Sequence, residues 1–90
     1  MGLGISSVVP TVMTIDGLRV VIYPNDHEPA HVHVMGDGNE ARFCLQGGDG
    51  LVELVENYGF RSGVIARIKV ALTVEQAMLI ERWREIHGED

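Results

Sequence analysis

The chain has 90 residues, and its 13 acidic side chains outnumber its 7 lysines and arginines, so the formal net charge is -6 at pH 7. This length limits the chain to one domain with a modest core, which a metal ion, a homodimer interface or a partner would stabilise further. The acidic total disfavours broad binding of nucleic acid, since neutralising phosphates requires clustered basic side chains. The single cysteine, Cys44, excludes an internal disulfide and zinc sites built from paired CxxC motifs.

The start of the chain lacks the charged segment and the long apolar core of a signal peptide, and no run is long enough to span a bilayer. We therefore expect residues 1–9 to be a loose lead-in to a single domain over residues 10–90. The lone cysteine favours a reducing compartment, so we expect the protein in the cytoplasm and away from membranes. Residues 26–56 contain seven acids and a single basic residue, Arg42, which favours a basic protein partner.

Two β-hairpins are predicted in the first half of the chain. Their strands are expected at residues 11–15, 18–23, 31–35 and 40–45. Asp16-Gly17 suits the two-residue turn of the first hairpin, and residues 36–39 form the loop of the second. A simple register for that loop places His31 opposite Cys44, Val32 opposite Phe43 and His33 opposite Arg42.

The second half predicts a glycine-rich turn at residues 47–50, a short strand over residues 51–56 and a break at residues 57–59. Ser62 can cap a helix that runs to about Leu72. Residues 73–76 match a capping box, with Thr73 as the cap, for a last helix through Ile86. Strands first and helices last predict an α+β domain: a small antiparallel sheet of four to five strands, followed by two C-terminal helices packed on one face.

Three of the four histidines lie close together in the segment that precedes and begins the third strand. His31 and His33 alternate along that strand, so their rings point to the same side, away from the interior, and can share a metal ion. His27 or Cys44 could supply a third ligand. Asp26 or Glu28 could supply a carboxylate or orient an imidazole. These donors suit Zn²⁺, and Ni²⁺ or Cu²⁺ less specifically.

Two other interpretations of the histidines stay open. His31 and His33 could act without a metal, as general acids or bases or as an anion site beside Arg42. They could also simply orient the turn and line a protein interface. Cys44 is expected to be a small packing residue rather than a nucleophile, because the surrounding acids disfavour a thiolate.

Several of these motifs together resemble a known family. They are Tyr23-x-Asn25-Asp26-His27-x-x-x-His31-Val32-His33-Val34, Ala41-Arg42-Phe43, Asn57-Tyr58-Gly59-Phe60 and Trp83. The chain is similar over residues 10–87 to a bacterial family described as a domain of unknown function, number 4160. The resemblance implies a stand-alone bacterial domain, often encoded beside a second small protein in pairs that look like toxin-antitoxin modules, and it implies no established activity.

Two functions from different classes are therefore considered. The first is a binding module that docks a partner protein, the product of a neighbouring gene in a toxin-antitoxin-like pair, through its acidic face or its strand edges. The second is a metal-assisted or histidine-dependent hydrolase acting on RNA or a nucleotide. In that case His31 and His33 are ligands or proton carriers, and Arg42 stabilises negative charge.

Overall fold

The computed structural model describes residues 10–88, and the lead-in expected at residues 1–9 lies outside the described residues. Five strands come first and two helices follow. They are β1 (Thr11–Ile15), β2 (Leu18–Val21), β3 (His31–Gly36), β4 (Asn39–Cys44), β5 (Glu53–Tyr58), α1 (Ser62–Val74) and α2 (Gln76–Ile86). Neither of these two helices combines the length and the apolar character needed to cross a membrane.

The sheet is an antiparallel meander in the order β1-β2-β3-β4-β5, so each strand pairs with its neighbours in the sequence. The predicted α+β arrangement of a small sheet followed by two helices is thereby confirmed. Both tight turns have positive φ at their two central residues, Asp16 and Gly17 in the first and Asp37 and Gly38 in the second. This backbone geometry matches the twist of the flanking strands, which is why Asp-Gly pairs close such hairpins.

The predicted register of the central hairpin is confirmed. His31 lies opposite Cys44, Val32 opposite Phe43 and His33 opposite Arg42. Because side chains alternate between the two faces of a strand, this register places the valines of β3 on one face and its histidines on the other.

The core lies between one face of the sheet and the two helices. Val32, Val34 and Phe43 have no exposed surface, and they pack in one cluster with Leu72 of α1 and Leu79 of α2. The cluster joins apolar residues from the sheet, the loops and the helices: Ile15, Leu18, Val20, Ile22, Val32, Val34, Ala41, Phe43, Leu45, Val52, Phe60, Ile68, Leu72, Leu79 and Trp83. Burial of these side chains supplies the main favourable free energy of folding.

The fifth strand begins two residues later than expected. Leu51 belongs to the preceding turn, because its carbonyl accepts from the Gly47 N–H at 2.8 Å and its own N–H donates to Asp49 Oδ1 at 2.9 Å. β5 extends through Asn57 and Tyr58, which were expected to lie beyond the end of the strand. The second strand also ends earlier, at Val21 instead of residue 23.

The predicted capping box of the last helix is wrong. Thr73 lies inside α1, where its hydroxyl donates to the Lys69 carbonyl at 2.7 Å. The side-chain amide of Gln76 donates to the carbonyls of Leu45 at 2.7 Å and Gly50 at 2.9 Å, so it ties α2 to the end of β4 instead of capping the helix. Ser62 is the first residue of α1 and makes no capping hydrogen bond, since Arg61 occupies the cap position.

A bulge interrupts the pairing of β4 with β5. Arg42 lies opposite Glu56 and Phe43 lies opposite Leu54, so Val55 is an extra residue in β5. The same strand forms one edge of the sheet, and all six of its residues are exposed.

Candidate metal centre

Asp26, His31 and His33 converge at the beginning of β3. The two imidazoles lie side by side because they occupy alternate positions of the strand. Asp26 lies in the loop before β3. The loop turns back at this residue, where the Asp26 N–H donates to the Tyr23 carbonyl at 3.0 Å. Asp26 Oδ2 lies 2.9 Å from Nε2 of His31 and 3.0 Å from Nε2 of His33. A ligand atom from each of these three residues lies within 4.8 Å of the other two, which is close enough to bind one metal ion.

Nδ1, the other ring nitrogen of His31, is hydrogen-bonded to the backbone. Nδ1 lies 2.9 Å from the carbonyl oxygen of Pro29, which can only accept, so this nitrogen carries a hydrogen and donates it. In the neutral ring, Nε2 then presents a lone pair toward the carboxylate of Asp26. Nε2 is buried and makes no hydrogen bond within the described residues, in spite of its short distance to Asp26. Such an atom requires a proton or a cation as its partner.

Both nitrogens of His33 face carboxylates. Nε2 lies 3.0 Å from Asp26 Oδ2, and Nδ1 lies 3.2 Å from Glu40 Oε2. A neutral imidazole has a single N–H, so it satisfies only one of these two acceptors. Every ring nitrogen of His31 and His33 therefore faces an oxygen acceptor. With neutral rings and no bound cation, these three residues contribute only the negative charge of the Asp26 carboxylate.

The site is largely shielded from solvent. The side chains of His31 and His33 are 12% and 13% exposed, less than expected for rings on the outer face of a sheet. The His31 ring packs 5.3 Å from the Trp83 ring of α2, and the His33 ring packs edge-on against Tyr23 at 4.6 Å. Low exposure strengthens every electrostatic interaction within the cluster.

The phenol of Tyr23 stays neutral at physiological pH. Burial raises the pKa of Tyr23 above its ordinary value of 10.0, and the negative charges of Glu40 and Asp26 raise it further. The neutral ring covers His33 without adding a charge to the site.

The end of α2 holds the loop that carries Asp26. Trp83 Nε1 donates to Glu28 Oε2 at 3.3 Å, and the His87 ring stacks on the Trp83 ring at 3.7 Å. Nε2 of His87 lies 3.0 Å from the carbonyl oxygen of Asp26 and donates to it when protonated. Trp83 of α2 and His87, which follows the helix, thus contact the loop on both sides of His27, at the Glu28 side chain and at the Asp26 carbonyl.

A cavity of about 370 Å³ opens beside the cluster. Its lining consists of Asp26, His27, Glu28, Pro29, His31, Arg42, Cys44 and Val55. A guanidinium nitrogen of Arg42 lies 3.3 Å from Glu56 Oε1, so this cation is held at the wall of the cavity.

The sequence-predicted site residues divide into two groups. His31 and His33 lie in the cluster, together with Asp26, which was considered as a carboxylate donor or an orienting residue. His27, Glu28 and Cys44 line the cavity but do not belong to the three-residue group. Arg42 also lines the cavity and pairs with Glu56.

Sequence reasoning did not predict that four further residues lie around the site: Glu40, Tyr23, Trp83 and His87. Glu40 had a usable signal, because the register of the hairpin places it diagonally across from His33. No local pattern relates Trp83 and His87 to β3, since tertiary packing alone brings α2 to this end of the sheet.

The fold and the site define a small α+β domain with a shielded acid-histidine cluster at one end of its sheet. The chain belongs to the family described as a domain of unknown function (DUF4160), whose family model matches residues 17–84. This match is narrower than the expected range of residues 10–87 and leaves the whole of β1 outside. Comparison with curated proteins and with solved structures gives no significant match.

Proposed function

We propose that Asp26, His31 and His33 bind a divalent transition-metal ion and that the protein is a metal-assisted hydrolase. The observation that carries this proposal is the oxygen acceptor facing each ring nitrogen of His31 and His33. A metal ion bound by both Nε2 atoms and by the Asp26 carboxylate leaves one hydrogen on each Nδ1. Those hydrogens are donated to the carbonyl of Pro29 and to the carboxylate of Glu40.

This arrangement is the usual environment of metal-binding histidines, which donate their second N–H to a carboxylate or a carbonyl. Two imidazole nitrogens and one carboxylate oxygen suit Zn²⁺, or alternatively Ni²⁺ or Cu²⁺. Three protein ligands are typical of catalytic zinc sites, in which a further position remains for water or substrate. A metal ion in such a site makes water a stronger nucleophile at neutral pH.

The cavity beside the cluster contains one cation, Arg42, together with the carboxylates of Asp26 and Glu28. Arg42 lies at its wall and can stabilise negative charge on a phosphate group of a nucleotide or a short RNA. The net charge of -6 disfavours long contacts with a nucleic-acid backbone, so we propose that the substrate engages the protein through a single phosphate.

Zinc binding by untagged protein tests the proposed metal site. Isothermal titration calorimetry should show a single Zn²⁺ ion per chain for the wild type and for His27→Ala, which removes an exposed neighbouring imidazole. The His31→Ala, His33→Ala double variant should lose binding while its circular dichroism spectrum shows a folded chain. Equal affinity in the double variant and the wild type would exclude this site.

A second measurement separates binding from hydrolysis. The zinc-loaded protein should hydrolyse a phosphodiester such as bis(p-nitrophenyl) phosphate, and Arg42→Ala should lower kcat/KM about tenfold or more without changing zinc affinity. Zinc binding without hydrolysis of this compound or of RNA would leave a metal site without the proposed activity. Hydrolysis that persists in the presence of a chelator would favour the metal-free histidine mechanism.

We propose as a second function that the protein is a binding module of the bacterial cytoplasm, one component of a toxin-antitoxin-like pair. The acidic stretch over residues 26–56 and the open edge of β5 support this function. The product of the neighbouring gene should then co-purify with the chain at low salt and dissociate at high salt. Failure to co-purify at low salt would count against a docking role.

A further inference from the structure

We propose that the edge of β5 binds an extended, basic segment of a partner protein by adding a strand to the sheet. The inference rests on the second function proposed above and names the surface and the chemistry of the partner. No residue of β5 belongs to the Asp26–His31–His33 group, but Val55 lines the neighbouring cavity and Glu56 pairs with Arg42.

β5 offers a free backbone edge. Within the described residues it pairs with β4 alone, so its other side presents N–H and C=O groups without strand partners. All six of its residues are exposed, including the large apolar side chains of Leu54, Val55 and Tyr58, at 37%, 49% and 63%. A strand added to this edge would satisfy the backbone and cover apolar surface as well.

Two of the usual devices that protect an edge from pairing are absent from β5. Proteins often place lysine or proline on an edge strand to prevent unwanted association, and β5 contains neither. Its charged residues are Glu53 and Glu56, and the bulge brings them to positions opposite Cys44 and Arg42. Cys44 and Arg42 alternate along β4, so both glutamates occupy backbone positions on the same face of the sheet.

The charge of the edge selects the partner. A second copy of the chain would bring the glutamates of two β5 strands close together, and each copy has a net charge of -6. Like charges on adjacent strands are destabilising, whereas opposite charges on them attract. A strand with lysine or arginine at alternate positions complements Glu53 and Glu56, of which Glu56 also pairs with Arg42 at 3.3 Å. Its intervening apolar residues lie on the opposite face, beside the exposed side chain of Leu54.

Nuclear magnetic resonance with a defined probe tests the inference. The ¹⁵N-labelled full chain is titrated with a short peptide of alternating lysine and valine, acetylated and amidated at its ends. Amide shifts should concentrate at Glu53–Tyr58, and a matched peptide of alternating glutamate and valine should cause none. Shifts confined to β1, the opposite edge, or to the helices would overturn the assignment.

A matched pair of charge reversals tests the electrostatic part. Glu53→Lys and Glu81→Lys each replace an exposed glutamate and change the net charge equally, but Glu81 lies on α2. Glu53→Lys should weaken binding of the lysine peptide about fivefold more than Glu81→Lys does. Equal effects of the two variants would show that overall charge, and not the β5 edge, attracts the peptide.

The outcomes separate this inference from the docking function itself. If the neighbouring-gene product co-purifies equally well with the wild type and with Glu53→Lys, the docking function stands and the β5 surface is wrong. A concentration-dependent dimer in light scattering, with amide shifts at Glu53–Tyr58 as the concentration rises, would make a second copy the occupant and overturn the basic partner.

Discussion

Nε2 of His87 lies 3.0 Å from the carbonyl oxygen of Asp26, although the two residues are 61 positions apart in the sequence. The same imidazole stacks on Trp83 at 3.7 Å, and Trp83 packs against His31. The last turn of α2 therefore restrains both the loop that carries Asp26 and the ring of His31. His87 itself belongs to the surroundings of the site, since its nitrogens face backbone carbonyls.

This contact predicts a positioning role for His87. His87→Ala should lower the affinity for Zn²⁺ about tenfold, because the backbone of Asp26 loses a restraint while all three ligands remain. Competition with a chelating dye measures the affinity. His27→Ala is the control, because the exposed His27 ring forms none of the described hydrogen bonds with α2. An unchanged affinity would show that the contact is not needed.

Glu40 should tune the site through His33. Glu40→Ala removes the carboxylate that faces Nδ1 of His33 at 3.2 Å, so zinc affinity should fall by about tenfold. Glu40→Gln keeps an oxygen acceptor at this position and should recover part of the loss. Glu81→Ala provides the control, since it removes an exposed glutamate on α2. Equal affinities for Glu40→Ala and Glu81→Ala would contradict this role.

The raised pKa of Tyr23 predicts a specific loss of stability in alkali. Burial makes the folded chain hold the phenolic proton more tightly than the unfolded chain does, so the free energy of unfolding falls as the pH rises above 10.0, the ordinary pKa. Tyr23→Phe should reduce this alkaline loss, as measured by urea unfolding at a series of pH values. Tyr58→Phe, which changes a tyrosine that is 63% exposed, is the matched control. Identical pH profiles for the two variants would be inconsistent with the expectation.

The packing of the helices against the sheet predicts a contrast between two leucines. Leu72→Ala, at a fully buried position of α1, should lower the free energy of unfolding by about 2 to 5 kcal/mol. Leu51→Ala makes the same substitution at a position that is 51% exposed and should cost less than about 1 kcal/mol. Chemical unfolding monitored by the fluorescence of Trp83 measures both. Similar losses would mean that α1 does not pack as the structure describes.

Local patterns were sufficient to predict much of the sheet. The Asp16-Gly17 pair predicted the first turn, and the alternation of Val32 and Val34 with the two histidines predicted which side of β3 faces the core. Both inferences depend on interactions between residues that are close in sequence, where the backbone has few alternatives.

Predictions failed where a local signal competed with a tertiary contact. The residues around Gln76 resemble a capping box, but the amide of this residue instead binds the carbonyls of Leu45 and Gly50. Leu51 resembles the start of a strand, but the hydrogen bonds of Gly47 and Asp49 retain it in a turn. In each case a partner outside the pattern satisfied the polar group on which the expectation depended.

Alternation along β3 was enough to place His31 and His33 on one side of the strand, because the period of a β-strand is two residues. Contacts between separate elements bring Asp26 and Glu40 to the two imidazoles and pack Trp83 and His87 beside them. The loop before β3 can turn in several directions, and α2 reaches this end of the sheet through packing of the whole core. No spacing within one segment records such contacts, since they depend on how separate elements bury their apolar faces together.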